Sequence, residues 1–272
     1  MVRRALTLTG IGFLITLIRA MLQLVIPAGG QAVLPPSLIV ERGLLPIAFM
    51  IYGTVTYTAL AVGFSLLQPT LSGSKRLKGN LFGGLLALMW AAYLLEPLPN
   101  VSPLDTLWYP LADGMALLLL GVLLGRFIAT DSPSRVYRPT ARSMMGVLVT
   151  AVCFAGGRLL AYSGLESYAS FGRAPMATLA WVIGTGLVIG VVLEYIGKRM
   201  TLGDRRLEPV VLGLGLFGIN LFFFNFFVPL VFAVDIADLL VRTAIDTASV
   251  TLGCYVLRVI PVGYQKQASR SE

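Results

Sequence analysis

Eight long apolar stretches follow one another along the chain, separated by short polar or glycine- and proline-rich segments. All but the third reach the length of about 20 residues that a helix needs to cross the hydrocarbon core of a bilayer. The pattern therefore predicts eight membrane-spanning helices. These spans cover residues 5–26, 44–68, 80–95, 107–129, 143–163, 175–197, 209–234 and 236–260.

The composition supports an integral membrane protein with an all-α fold. Of the 272 residues, 57% are hydrophobic and 12% are charged, and the mean hydropathy is +0.84. Soluble globular domains contain about 25% charged residues. The first span is interpreted as a retained helix and not as a signal peptide, because it is long and contains Arg19.

Basic residues are concentrated in every second connection. Sixteen of the 21 lysines and arginines precede the first span or lie at or beyond the ends of the second, fourth, sixth and eighth spans. By the positive-inside rule, both termini are predicted to lie in the cytoplasm and the protein in the plasma or inner membrane. This distribution explains the net charge of +8. No basic tract with interleaved aromatic residues is present, so no nucleic-acid partner is predicted.

The chain contains two cysteines and no histidine. Cys153 and Cys254 lie in separate apolar spans, which is typical of small core residues and not of a disulfide framework or a thiolate metal site. Without histidine, His-ligated haem, His-based zinc sites and Ser-His or Cys-His catalysis are excluded. We therefore predict no cofactor and no metal.

The two halves of the sequence resemble each other. Residues 73–77 (GSKRL) recur as residues 203–207 (GDRRL), and Gly53, Pro97 and Arg126 recur as Gly184, Pro229 and Arg258. This predicts two parallel four-helix repeats, 1–130 and 143–260, with a linker at 131–142 and a cytoplasmic tail at 261–272. Coincidence is the alternative, because glycine, leucine and arginine are common at span ends.

Charged side chains interrupt the apolar spans. Asp238, Arg242 and Asp246 are spaced four residues apart in the last span, which places them on one helix face. The fourth span has the same spacing 133 positions earlier, and the first and fifth spans each carry one arginine. The upstream residues are Asp105, Tyr109, Asp113, Arg19 and Arg158.

Buried charges in a membrane are costly and usually face other helices or a wet cavity. From the helical rise, Arg19, Asp113, Arg158 and Arg242 lie roughly 8–10 Å below the outer edge of the core, and Asp246 about 15 Å below it. We predict one polar cluster in the outer half of the membrane.

This cluster has a structural and a functional interpretation. Asp113 can pair with Arg19 or Arg158, and Asp238 with Arg242, so that the charges only fix helix register. Alternatively, the three arginines hold a carboxylate or phosphate in a pocket open to the outside. The acidic residues Asp113 and Asp246 then orient the arginines or carry a proton. Asp105, Tyr109 and Asp238 are predicted to be supporting residues of the same site.

Three classes of function follow. The first is a transporter or permease-like protein that binds a small anionic or zwitterionic solute in the cluster. The second is a non-catalytic membrane subunit or receptor that docks lipid, partner proteins or a second copy through small-residue seams. The third is a lipid-active enzyme in which Asp113 and Asp246 share a proton. The candidate seams are Gly79-x3-Gly83, Gly121-x3-Gly125 and Gly186-x3-Gly190.

Polar and aromatic residues within the spans give further predictions. Asn220 and Asn225 cannot both face lipid cheaply, so at least one should bond to another helix. The GxGxxG spelling at residues 213–218 lies inside an apolar span and predicts a helix contact, not a nucleotide site. Aromatic residues near the outer span ends predict an interfacial belt, which includes Trp90, Trp108, Trp181, Tyr93 and Tyr168.

Overall fold

The structure, a computed structural model, describes residues 2–25, 34–98, 103–134, 138–164, 170–202, 204 and 206–259. Tyr168 and the predicted tail at 261–272 lie outside these residues, as does the side chain of Asp105. Within the described part of the chain, eight helical stretches are long and apolar enough to cross a membrane. The prediction of an all-α fold with eight helices of spanning length is thus confirmed.

The helices follow the predicted spans closely. In chain order they are α1 Val2–Val25, α2 Leu38–Glu41, α3 Leu45–Leu67, α4 Lys75–Leu94, α5 Pro103–Phe127, α6 Ala141–Gly164, α7 Pro175–Arg199, a π-helical segment Val210–Gly218, α8 Ile219–Asn225, α9 Val228–Val231 and α10 Ile236–Val259. The predicted third span, 80–95, begins five residues too late. The reason is a cap, because Ser74 Oγ accepts a hydrogen bond from Leu77 N (3.3 Å) and the polar turn after it is helical.

The contact between α4 and α5 depends on glycine. A Cβ atom on Gly79 would lie 2.2 Å from the carbonyl oxygen of Gly121, and one on Gly83 would lie 2.5 Å from that of Leu117. Only residues without a side chain allow two backbones to approach so closely. The first two predicted seams therefore pair two helices of the same chain.

The third seam is also used within the chain. A Cβ atom on Gly186 of α7 would lie 3.0 Å from Ala151 of α6, and one on Gly190 would lie 2.6 Å from the carbonyl oxygen of Val147. These faces are occupied by neighbouring helices. A docking surface for another protein would lie elsewhere on the bundle.

The seventh span is divided into the π-helical segment, α8 and α9. Gly213 and Gly218 contact Thr251 and Thr247 of α10, so this GxGxxG run makes the helix contact that was predicted for it.

Both asparagines of the span are buried and bonded to other helices. Asn220 accepts a hydrogen bond from Trp90 Nε1 (2.8 Å), and Asn225 donates to Thr243 Oγ1 (2.7 Å).

The aromatic belt needs correction. Trp90, Trp181 and Tyr93 are buried in the core, whereas Trp108 is exposed. The two buried indoles face inward because their N–H groups donate to other helices, Trp90 to Asn220 and Trp181 to the carbonyl oxygen of Ala92 (2.6 Å). The inward-facing rings bring α4, α7 and α8 together around the polar residues described next.

Candidate functional site

Four charged side chains from three parts of the chain meet inside the bundle. Arg158 of α6 places Nη2 2.7 Å from Asp246 Oδ2 of α10 and Nη1 3.6 Å from Glu96 Oε1, just beyond the end of α4. Arg242 of α10 places Nη1 3.9 Å from the same Glu96 oxygen. We call Glu96, Arg158, Arg242 and Asp246 the Arg158 group.

A glycine next to Arg158 allows α6 and α10 to meet here. A Cβ atom on Gly157 would lie 2.1 Å from Ser249 Oγ, one turn beyond Asp246 on α10. The close approach brings the long side chain of Arg158 alongside the short side chain of Asp246. The ion pair is therefore positioned by the sequence of both helices.

Aromatic side chains surround the guanidinium group of Arg158. Its Cζ lies 5.1 Å from the ring centre of Trp181, 5.5 Å from that of Tyr93 and 5.8 Å from that of Tyr162. Such ring faces attract cations. The two tyrosine hydroxyls also donate to the acids, Tyr93 to Asp246 Oδ2 (3.1 Å) and Tyr162 to Glu96 Oε1 (2.7 Å).

The Arg158 group is deeply buried and formally neutral. Arg158 is 1% exposed and Asp246 is 0% exposed, and Glu96 and Arg242 are also buried. Asp246 Oδ1 and Arg158 Nε are among the polar atoms of the group that have no hydrogen-bond partner in the described part of the chain. Buried polar atoms without partners are rare, and each can accept or donate one further bond. The group as it stands is closed by its own ion pairs.

A second ion pair, between the buried Arg19 and the half-buried Asp113, joins α1 to α5. Arg19 Nε donates to Asp113 Oδ1, and Arg19 Nη1 donates to Gln23 Oε1 (2.9 Å). The guanidinium carbon of Arg19 lies 5.9 Å from the ring centre of Tyr109. The pair is thus built from one residue of each helix, with an aromatic ring beside the cation, as in the Arg158 group.

The predicted residues are distributed over these two groups. Arg158, Arg242 and Asp246 come together, whereas Arg19 and Asp113 pair with each other between α1 and α5. Asp238 lies in the first turn of α10, where its backbone N–H donates to the Asp235 side chain (3.3 Å). The outcome differs from one shared cluster because Arg19 and Arg158 each meet an aspartate on a helix packed directly against their own.

This arrangement bears on the enzyme hypothesis. Asp113 lies against Arg19, and Asp246 lies against Arg158 and Tyr93. Sharing a proton requires two carboxylates in direct contact. Asp113 and Asp246 contact different arginines, so their contacts do not place the two carboxylates side by side.

Sequence reasoning missed Glu96 and the side chains around it. Glu96 follows the last residue of the predicted third span, 80–95, and so counted as part of an outer loop. Tyr93 and Trp181 were assigned to the interfacial belt, and Tyr162 was not singled out. One signal was available, because Glu96 is a lone acid between apolar Leu95 and Pro97.

Comparison of the chain with protein-family models, curated proteins and solved structures finds no match. The class of protein is defined by the fold itself. Eight apolar helices of spanning length fit an integral, multi-pass membrane protein. Any more specific function has to be inferred from the buried charges.

Proposed function

We propose that this membrane protein is a permease-like transporter that binds a small zwitterionic solute at the Arg158 group. The observation that carries the proposal is the burial of two carboxylates and two guanidinium groups, in which Asp246 Oδ1 and Arg158 Nε have no hydrogen-bond partner among the described residues. Ionisable residues inside membrane bundles are expensive and often mark a solute or ion pathway.

The charge balance favours a zwitterion over an anion. The Arg158 group is formally neutral, so a bare anion would add an uncompensated charge to a buried site. A zwitterion adds none. Its carboxylate can contact the guanidinium groups of Arg158 and Arg242, and its ammonium group can contact Glu96 and Asp246, next to the ring faces of Tyr93 and Trp181.

We also propose that the chain consists of two parallel four-helix repeats, 1–130 and 143–260. In support, α1 packs on α3 and α5, and the corresponding α6 packs on α7 and α10. An arginine pairs with an aspartate at the equivalent helix contact in each half, Arg19 with Asp113 and Arg158 with Asp246. The distribution of basic residues supports a plasma or inner membrane location with cytoplasmic termini.

Uptake into proteoliposomes tests the proposed activity. The purified protein is expected to take up radiolabelled neutral α-amino acids, but not succinate or inorganic phosphate. The double variant Glu96→Gln/Arg242→Gln should lower uptake at limiting solute by at least about tenfold, because it removes one charge of each sign from the site.

The matched control is Glu194→Gln/Lys198→Gln. It neutralises an ion pair (3.6 Å) within α7, which lies outside the Arg158 group. This variant should transport like the unchanged protein. Absence of amino-acid uptake, or equal uptake by both double variants, would contradict the proposal.

A further inference from the structure

A second set of buried polar side chains lies at the end of the bundle opposite the Arg158 group. Lys78 is in the first turn of α4, Arg199 is the last residue of α7, and Ser72 lies between α3 and α4. All three line one small cavity of about 10 Å³. We call Ser72, Lys78 and Arg199 the basic cavity. Glu96 follows the other end of α4, so the two sites are separated by the length of that helix.

The two cations of the basic cavity have only uncharged partners in the described part of the chain. Lys78 is 1% exposed and donates from Nζ to the carbonyl oxygen of Gln68 (3.0 Å). Arg199 is 9% exposed and donates from Nη2 to Tyr195 Oη (3.1 Å), and its Cζ lies 4.9 Å from the ring centre of that tyrosine. Neither residue forms an ion pair with a described acid.

Nearby acids are engaged elsewhere. Lys198, the neighbour of Arg199, is the residue that pairs with Glu194 (3.6 Å). Asp131 attracts Lys78 at longer range, but it is exposed and its Oδ1 accepts a hydrogen bond from the backbone N–H of Lys75 (2.7 Å). The positive charge buried in the cavity is therefore not balanced by a direct contact with an acid in the described ranges of the chain.

Donors at the cavity are also unused. Arg199 Nε and Nη1, and Ser72 Oγ, have no hydrogen-bond partner among the residues that the structure describes. A buried cation is costly unless it is paired and hydrogen-bonded. Two buried cations and unused donors around one space are features of an anion-binding site.

We propose that the basic cavity binds an oxygen of a phosphate group. The cavity has room for about one water molecule, which is also the size of one phosphate oxygen. Arginine presents forked donors that match phosphate geometry, and Ser72 adds a hydroxyl donor. The half-buried residues Leu81 and Tyr195 line the same cavity and mark the side from which the rest of the ligand approaches.

The ends of membrane-spanning helices generally lie near the depth of lipid headgroups, and the cavity lies at the ends of two helices of spanning length, α4 and α7. Basic pockets between helices on the cytoplasmic side are typical binding sites for anionic phospholipids. The cavity lies on the side where the basic residues of the chain are concentrated. The phosphodiester of a lipid headgroup is therefore the favoured source of the phosphate, and free phosphate is the other.

Thermal stabilisation of the purified, delipidated protein distinguishes the sources. Phosphatidylglycerol added to detergent micelles should raise Tm saturably, whereas phosphatidylcholine should not. Arg199→Gln and Lys78→Met should each weaken the apparent affinity by about tenfold or more, because each removes a charged contact to phosphate. The matched control Arg76→Gln removes an exposed cation of the same helix and should bind like the unchanged protein.

The other outcomes are equally informative. Stabilisation by inorganic phosphate with the same dependence on Arg199 and Lys78 would support the site with a soluble ligand. Equal stabilisation by phosphatidylcholine, or unchanged affinity in both variants, would overturn it. If Arg199→Gln does not fold, the lipid affinity of Lys78→Met alone tests the site. In anion-free detergent, the Tm of Lys78→Met should be no lower than that of the unchanged protein. A lower Tm there would also overturn the proposal. This result does not depend on solute uptake at the Arg158 group.

Discussion

Replacing Arg158 with methionine should lower the free energy of unfolding by about 3–5 kcal/mol, the usual cost of removing one partner from a buried ion pair. Asp246 and Glu96 would both lose their contacts with Arg158. Because Asp246 is fully buried, water cannot replace the lost guanidinium group. Reversible unfolding in mixed detergent micelles, followed by circular dichroism, measures this change.

A compensating variant separates charge from packing. In Arg158→Met/Asp246→Leu no unpaired carboxylate is left at position 246, and apolar replacement of a buried ion pair is often neutral or stabilising. The double variant should recover most of the lost stability. Arg126→Met, an exposed change on α5, should stay within about 0.5 kcal/mol of the unchanged protein. If Arg158→Met costs no more than this control, the ion pair does not contribute as described.

Gly121→Ala is expected to cost about 3 kcal/mol, at the upper end of the range for overpacking. Its new Cβ atom would lie 2.4 Å from the carbonyl oxygen of Gly79 and 2.8 Å from the Cα atom of Gly83. Both neighbours are backbone atoms, so neither can rotate away and α4 must separate from α5. The same unfolding measurement applies.

Gly84→Ala is the matched control for this contact. Gly84 is adjacent to Gly83 on α4, and the nearest atom to its added Cβ would be Leu118 Cδ2 at 3.8 Å, an ordinary van der Waals distance. Because alanine is the better helix former, Gly84→Ala should be neutral or stabilising by up to about 1 kcal/mol. Equal losses at positions 84 and 121 would show that the close approach of the two helices is not what matters.

The spans could be predicted from the sequence because each extends over many apolar residues. A single polar residue does not prevent such a segment from being recognised. The helices begin and end within a few residues of the spans predicted from hydropathy. The largest error was at the start of α4. There, capping by Ser74 extends the helix into the polar turn that contains Lys75 and Lys78, and hydropathy alone cannot detect this.

The candidate site could be predicted only in part. The depth of Arg158 or Asp246 in the membrane follows from its distance along the helix to the span end. The rotation of each helix about its axis does not follow, and rotation decides which charges meet. Asp113 was therefore expected in one cluster with Asp246, and the structure instead places it against Arg19.

Glu96 illustrates a different difficulty. Its role depends on the ends of α4 and α6 and the middle of α10 coming together, which is a property of tertiary packing. The same is true of Tyr93 and Trp181. Near the end of a span, a belt residue facing lipid and a core residue facing a neighbouring helix have the same position in the sequence.

The way in which α4 is attached to α7 has a mechanical consequence. At the start of α4, main-chain hydrogen bonds join the neighbouring segments, from Ser72 N to Arg199 O (3.0 Å) and from Thr201 N to Thr70 O (2.8 Å). Near the far end, the hydrogen bonds are made by side chains, because the Trp181 indole and, at 3.5 Å, the Thr185 hydroxyl donate to the Ala92 carbonyl. An indole can swing to a new rotamer while paired backbones hold their distance. If α4 and α7 move apart, they would therefore separate first at Trp181 and pivot about the Ser72–Thr201 junction.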